Sequence, residues 1–432
     1  MISGSMMNRR YFLGAAGASA SALLLSSCAR GNSATTAGGD TVTAAGWDDG
    51  FQDLVVGPIA KGFESESKTT FQAQAAVSGD DYSTRFRTLL SGGKPPDFMR
   101  LDDDFLPEIS SKKLAKDIGP YVAESRLNLD DYYENVFNFS KLPTGQRAVQ
   151  IAAQNRCIFY NKTMFEKEGI PLPPTTWTDE GWKWEDFLEA AKALTKASED
   201  QWGAVIAKDG AYENMWAVNN GGPGTFSKDG HSFTLADEIG LDAMQWCCDL
   251  ITKHKVCPSW GDLQPDRADQ RLFTGGKLGM YQNATSTIAY FDENIKDFEW
   301  DVAPIPGREN QIQEASMVMY IIPDKAQNPD LAWDFLEYAI GPEGGKIIAD
   351  SGIGIPTHRG AAKALKAPGK YPANMNLLVE ASDHLRSRNF TNATSAALNI
   401  YRPQLERAYT GEITVAEALN GVRDQVEAAI AV

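Results

Sequence analysis

At 432 residues the chain exceeds what one hydrophobic core usually organises, so two lobes are expected. A content of 43% hydrophobic and 23% charged residues argues against general disorder. The net charge of −16, with no basic block beyond the N-terminal segment, argues against nucleic acid and anionic lipid as partners, since phosphate would be repelled.

The first residues read as an address rather than as fold. Asn8-Arg9-Arg10-Tyr11-Phe12-Leu13 resembles a twin-arginine export motif. The Ala- and Gly-rich run from Phe12 to Leu25 is too short and too glycine-rich to span a bilayer. It ends in Leu25-Ser26-Ser27-Cys28, which resembles a lipobox. Residues 1–28 are therefore expected to be a signal peptide with acylation at Cys28; an ordinary peptidase site beside an incidental cysteine is the alternative. Residues 29–40 read as a flexible tether. No other run is long and apolar enough to cross a membrane.

Asp40 to Trp47 alternates like a strand, and Asp48-Asp49-Gly50 turns into a helical pattern reaching Phe63. Phe71 to Val77 is a second strand, and Tyr82 to Leu90 places Phe86, Leu89 and Leu90 on one helix face. Pro95 to Met99 leads into a third strand followed by the loop Arg100-Leu101-Asp102-Asp103-Asp104. Alternating strands and helices build a parallel sheet, whose ligands bind beyond the carboxyl ends of the strands.

From Ala148 to Pro174 an apolar, β-branched strand passes through the polar Gln154-Asn155-Arg156 into a second apolar strand. Asn161 then caps a helix that Gly169 stops, and the prolines of PLPPTTW enforce an extended connector. This reads as a strand, a polar crossing, a second strand and a capped helix. Trp184 to Lys196 is an amphipathic helix, Gly203 to Ala207 a strand, and Leu241 to Lys253 a further helix. Lys277 to Gln282 reads as the second crossing and Glu314 to Ile322 as the third. Helices follow at Asp330 to Ile340 and Val415 to Ala429. Cys157 sits in an apolar strand as a small hydrophobe. Outside the cytoplasm a disulfide is permitted, and Cys257 with Cys247 or Cys248 is the expected closure across the helix end at His254 and Pro258; a zinc site of these cysteines with His254 matches no standard spacing.

Several of these blocks carry a resemblance. Tyr160-Asn161-Lys162 with its short helix, Gly169-Ile170, Pro173-Pro174 and Trp177, then Phe273 to Met280, Trp300 to Pro306 and Gly352 to Arg359 stand in one order. The set, running from about Asp40 to the C-terminus, resembles the extracellular solute-binding proteins of ABC sugar importers, the family typified by maltose-binding protein. The resemblance implies an α/β, periplasmic-binding-protein-like type II fold with two lobes on a multi-segment hinge. Residues 41–152 and 280–316 would form the first lobe, 156–276 and 320–432 the second. It further implies a bacterial, lipid-anchored, extracytoplasmic monomer that captures a carbohydrate and delivers it to the ABC permease by hinge closure, with no cofactor, no metal and no catalysis. Another polar solute (a polyol, a phosphate ester or a peptide) is one alternative, and a secreted carbohydrate-active enzyme is another. No metalloprotease, nucleophile-elbow or phosphate-loop pattern occurs, and the four histidines are scattered.

A buried sugar needs its hydroxyls paired, at roughly 1–3 kcal/mol for each group left unmade, and its C–H faces stacked on aromatic rings. Acids, amides and Arg beside Trp or Tyr satisfy both. The candidates are Trp47, Asp48 and Asp49 after the first strand, Arg100, Asp102 and Asp103 after a neighbouring one, and Gln154 and Asn155 on the first crossing. Trp216 and Asn219 stand in the second lobe, Asn283 and Ser286 after the second crossing, and Arg359 on the late turn. Relatives carry a tryptophan shortly after the second crossing; Thr285, Ser286 and Thr287 stand there instead, leaving Tyr281 or Tyr290 as substitute platforms. A tightly bound anion would need more cations than Arg100 and Arg359.

Overall fold

The computed structural model describes residues 40–177 and 182–431. The expected signal peptide, Cys28 and residues 29–39 of the tether lie outside the described residues.

Two sheets organise the chain. The first has six strands: β1 (Thr41–Ala45), β2 (Thr70–Ala73), β3 (Phe98–Leu101), β4 (Val149–Gln154), β9 (Ser316–Ile321) and β10 (Ile355–Pro356), in the order β10-β4-β9-β3-β1-β2. β1 pairs parallel with β2 and β3, whereas β9 runs antiparallel between β3 and β4. The second has four, β5 (Arg156–Asn161), β6 (Trp202–Val205), β7 (Leu278–Ala284) and β8 (Trp300–Ala303), in the order β8-β5-β7-β6. Each packs against helices: Phe98 of β3 stacks on Phe335 of the helix Pro329–Ile340 with ring centroids 4.8 Å apart, and Phe159 of β5 meets Phe291 edge-on at 5.1 Å. The inner strands β3, β4, β5 and β7 are buried along nearly all of their length, whereas the edge strand β2 is mostly exposed.

The chain passes between the sheets at three places. The first, Gln154 to Arg156, is where the sequence puts it. The second, Gln313 to Ser316, returns the chain from β8 to β9 in the first sheet. The third falls between Lys366, whose amide donates to Ala349 O at 3.3 Å, and Lys370, whose amide donates to Asp292 Oδ1 at 3.0 Å. Paired crossings are stapled to each other: Arg156 N–H donates to Gln313 Oε1 at 3.0 Å, and Gln313 Nε2 donates to Asn155 Oδ1 at 3.1 Å.

The lobe boundaries read from sequence need correction. Lys277 to Gln282 is no crossing, because β7 is a central strand flanked by β5 and β6 in the second sheet. Residues 280–316 therefore belong mainly to the second lobe. The segment from β9 through the helix Arg359–Ala362 belongs to the first lobe instead of the second. The polar Gln282-Asn283 step after a buried run imitates a crossing, yet both side chains bond inside the lobe.

The expected disulfide is also absent. Cys157, Cys247, Cys248 and Cys257 are free and buried. Burial pushes all four thiols up, and they pack as small apolar groups, Cys247 and Cys248 on the helix Glu238–Thr252 and Cys157 in β5. Among the described residues no helix is long and apolar enough to cross a membrane, and no group of His, Cys, Asp or Glu is arranged to hold a metal ion.

Candidate functional site

The carboxyl ends of β1 and β3 and the first two crossings open onto a cavity of about 390 Å³ walled by both lobes. Gly46 makes the first wall possible, since a Cβ there would collide with the Gln52 side chain. Just beyond it, Asp49 caps the helix Gly50–Leu54 by accepting from Gln52 N–H at 2.7 Å. The same carboxylate accepts from Trp47 Nε1 at 2.9 Å and from Arg100 Nη2 at 3.2 Å. Arg100, only 2% exposed, lays its guanidinium 4.1 Å from the centroid of the half-buried Trp47 ring. The ring is thus held at the cavity wall by a bond at its edge and a cation on its face.

After β3, Asp102 caps a single turn, Asp103–Phe105, by accepting from Asp104 N–H at 2.9 Å. Asp103 accepts from Met317 N–H at 3.3 Å. Burial pushes the Asp103 carboxyl up to about 7, against the pull of Arg388. Arg388, reached only after the third crossing, places Nη2 2.9 Å from Asp104 and 3.8 Å from Asp103, with Nε 3.9 Å from Glu314.

The hinge side is built on Arg156. Its Nε donates to both oxygens of Asp209, at 2.8 and 2.9 Å, while Nη1 reaches Glu314 O and Nη2 reaches Ser316 Oγ, each at 3.2 Å. Burial works against the Arg156 charge, but Asp209 and Glu314 outweigh it and hold its pKa above the ordinary guanidinium value. Glu314 accepts from Asn214 Nδ2 at 2.7 Å, and burial raises its carboxyl despite Arg388 and Arg156 nearby. Arg402, on the helix Thr394–Tyr409, donates from Nε to Glu213 at 2.7 Å.

Of the residues named from sequence, the structure brings Trp47, Asp49, Arg100, Asp102, Asp103 and Gln154 to this cavity. The others lie outside its lining. Asp48 is exposed, its amide donating to Val77 O at 2.8 Å. Asn155 is fully buried and donates to Leu378 O and Ser382 Oγ at 2.8 and 2.9 Å, a hinge staple instead of a ligand contact. Trp216 is also fully buried; it donates to Gln282 Oε1 at 2.8 Å and stacks on Trp246 with centroids 4.7 Å apart, so it is core. Asn219 exchanges bonds with the Ile312 backbone at 2.8 and 3.1 Å. Asn283 bonds to Tyr281 and to Ala284 N–H within β7, and Ser286 is exposed on the turn that follows. Arg359 donates to Tyr132 O at 2.9 Å and to Asp383 at 3.1 Å. Neither substitute platform serves the cavity: Tyr281 is buried on Asp269 and Tyr290 packs on Phe291.

Sequence reading missed Arg156, Glu314, Ser316, Arg388 and Arg402. Arg156 and Glu314 carried a usable signal, each a charge next to an apolar strand at a lobe crossing. Arg388 and Arg402 carried none.

Two α/β lobes joined by three chain crossings, with a polar cavity at the strand ends between them, make up the type II periplasmic-binding-protein architecture. The chain belongs to the bacterial extracellular solute-binding protein family, whose model matches residues 44–346. A binding protein of Brucella abortus is 26% identical over 293 residues, 65% of this chain and 67% of that one. An erythritol/L-threitol-binding protein of Mycolicibacterium smegmatis is 23% identical over 302 residues, covering 63% and 61%. The ABC substrate-binding protein of Listeria monocytogenes, solved in complex with cycloalternan, superposes with a TM-score of 0.79 at 20% identity over 91% of this chain and 99% of that one.

Proposed function

We propose that this chain captures a carbohydrate outside the cytoplasmic membrane and delivers it to an ABC permease by closing its lobes, as a monomer held to the membrane by lipid on Cys28. The observation that carries the reading is the cavity lining itself. The part of the Trp47 ring that Arg100 leaves uncovered offers a C–H stacking surface, and Asp49, Asp102, Asp103, Gln154 and Glu314 offer acceptors beside the guanidinium donors Arg100, Arg156 and Arg388. Alternating acceptors and donors suit hydroxyls, each of which both gives and takes a bond. The sugar complex of the Listeria neighbour supports a carbohydrate guest, and the polyols named for the Mycolicibacterium relative support the alternative.

The mechanism follows from the wall composition. Groups from the first lobe and from the second surround one cavity, so a guest engages both sets only when the lobes are together. Its binding free energy then falls on the closed form and shifts the hinge equilibrium toward it. The permease reads the closed shape.

The test is a thermal-shift and calorimetric screen of mature protein against mono-, oligosaccharides and short polyols, with the bound compound recovered and identified. The expected result is a stabilising sugar returned chemically unchanged. A screen in which no sugar stabilises overturns the carbohydrate reading, and recovery of a cleaved or altered sugar favours an enzyme. Stabilisation by four-carbon polyols alone moves the assignment to that class.

A further inference from the structure

A second cavity of about 660 Å³ lies on the far side of Arg388, whose side chain lines both. The outer cavity is also walled by both lobes. Its floor is an aromatic pair, Phe139 from the first lobe and Phe390 from beyond the third crossing, with ring centroids 5.5 Å apart and planes at 89°. Its rim is cationic: Lys141 enters from the first lobe and Lys228 from the second. Both are exposed, and among the described residues neither makes an ion pair. Asp229 alone is acidic among the described lining residues, and it is engaged by Ser227 Oγ at 2.5 Å and His231 N–H at 3.2 Å.

The inner cavity has the opposite balance. Asp49, Asp102, Asp103, Asp104 and Glu314 face four guanidinium groups there, two of which are spent on Asp209 and Glu213. Negative charge is in excess, so an anionic group is repelled from the inner chamber and attracted to the outer one. A cationic rim in a protein of net charge −16 runs against the general field.

Resting on the carbohydrate reading above, we infer that the outer cavity is a second saccharide subsite and that it takes a sugar unit bearing an anionic group, such as a uronate or a sulfate. The ligand class is then an acidic oligosaccharide, its neutral unit stacked by Trp47 in the inner chamber and its charged unit held beyond Arg388 between Lys141 and Lys228. An anion there draws a lysine from each lobe, so the same contact that selects the ligand also favours closure.

The experiment measures Kd for saccharides of equal length in matched sets, neutral, uronate-ended and sulfate-ended, with the mature protein and with its K141A/K228A variant. At low salt the acidic members should bind about tenfold tighter than the neutral one. That advantage should shrink as salt is raised and be lost in the variant. A gain with the uronate alone or the sulfate alone identifies which anion is taken. Neutral saccharides that bind as tightly as acidic ones, or an acidic preference that survives in K141A/K228A, overturn this inference and leave the carbohydrate reading standing. A panel in which no saccharide binds overturns both.

Discussion

Arg388 Nη2 lies 2.9 Å from a carboxylate oxygen of Asp104, joining two residues that belong to different lobes. Asp104 is placed by the turn after β3, whereas Arg388 is placed by the segment that follows the third crossing. The pair spans the cleft, and the same guanidinium has Asp103 and Glu314 at 3.8 and 3.9 Å. Both side chains are partly exposed, at 20% and 27%, so truncating one costs about 1–2 kcal/mol, between the exposed and buried limits. Arg388→Ala should therefore weaken sugar binding by about tenfold and enlarge the radius of gyration of the ligand-free protein in small-angle scattering. An unchanged radius with unchanged affinity would show that the contact braces nothing.

Asp103 should make stability depend on pH in a defined direction. Its folded carboxyl is raised to about 7 by burial, so its contribution is fullest below the ordinary carboxylate value and is lost as pH climbs through 7. The full loss corresponds to roughly 4 kcal/mol as an upper bound. Asp103→Asn should accordingly unfold at higher urea than the parent at pH 7.5, with the difference shrinking toward pH 4.5. Equal pH slopes for the two proteins would count against the assignment.

Trp47 and Trp216 should separate in their effects. Trp216→Ala empties a fully buried site in a cluster with Trp184 and Trp246, and a loss of about 3–5 kcal/mol in unfolding free energy is expected. Trp47→Ala removes a half-buried ring held by Arg100 and Asp49, and its main effect should be on sugar affinity. Chemical denaturation alongside calorimetry distinguishes them; a Trp216 variant as stable as the parent would return that residue to the list of candidate contacts.

Asp209→Ala would leave the Arg156 guanidinium buried without its carboxylate. Breaking such a pair from one side costs about 3–5 kcal/mol, so a marked drop in melting temperature is expected. Asp209→Asn, which keeps an acceptor for Arg156, should fall less. If the two variants melt alike, charge compensation is not what this contact supplies.

What the sequence determined by itself is what short-range physics decides. Asn161 accepts from Met164 N–H and Gly169 takes φ 68°, as a cap and a helix stop should. The first crossing at Gln154–Arg156 and the acid-rich ends of β1 and β3 were legible because a strand and the loop leaving it are set by neighbours in the chain. Tertiary structure decided the rest. β7 has the composition of a crossing and the position of a central strand, since its partners β5 and β6 come from other parts of the chain. Asn155, Trp216 and Asn219 have the chemistry of ligand contacts yet bond to residues 66 or more positions away. Arg388 reaches Asp104 across 284 positions. A polar or aromatic side chain has one local pattern whether it faces a cleft or closes a core. Only the packing of distant segments settles which of the two it does.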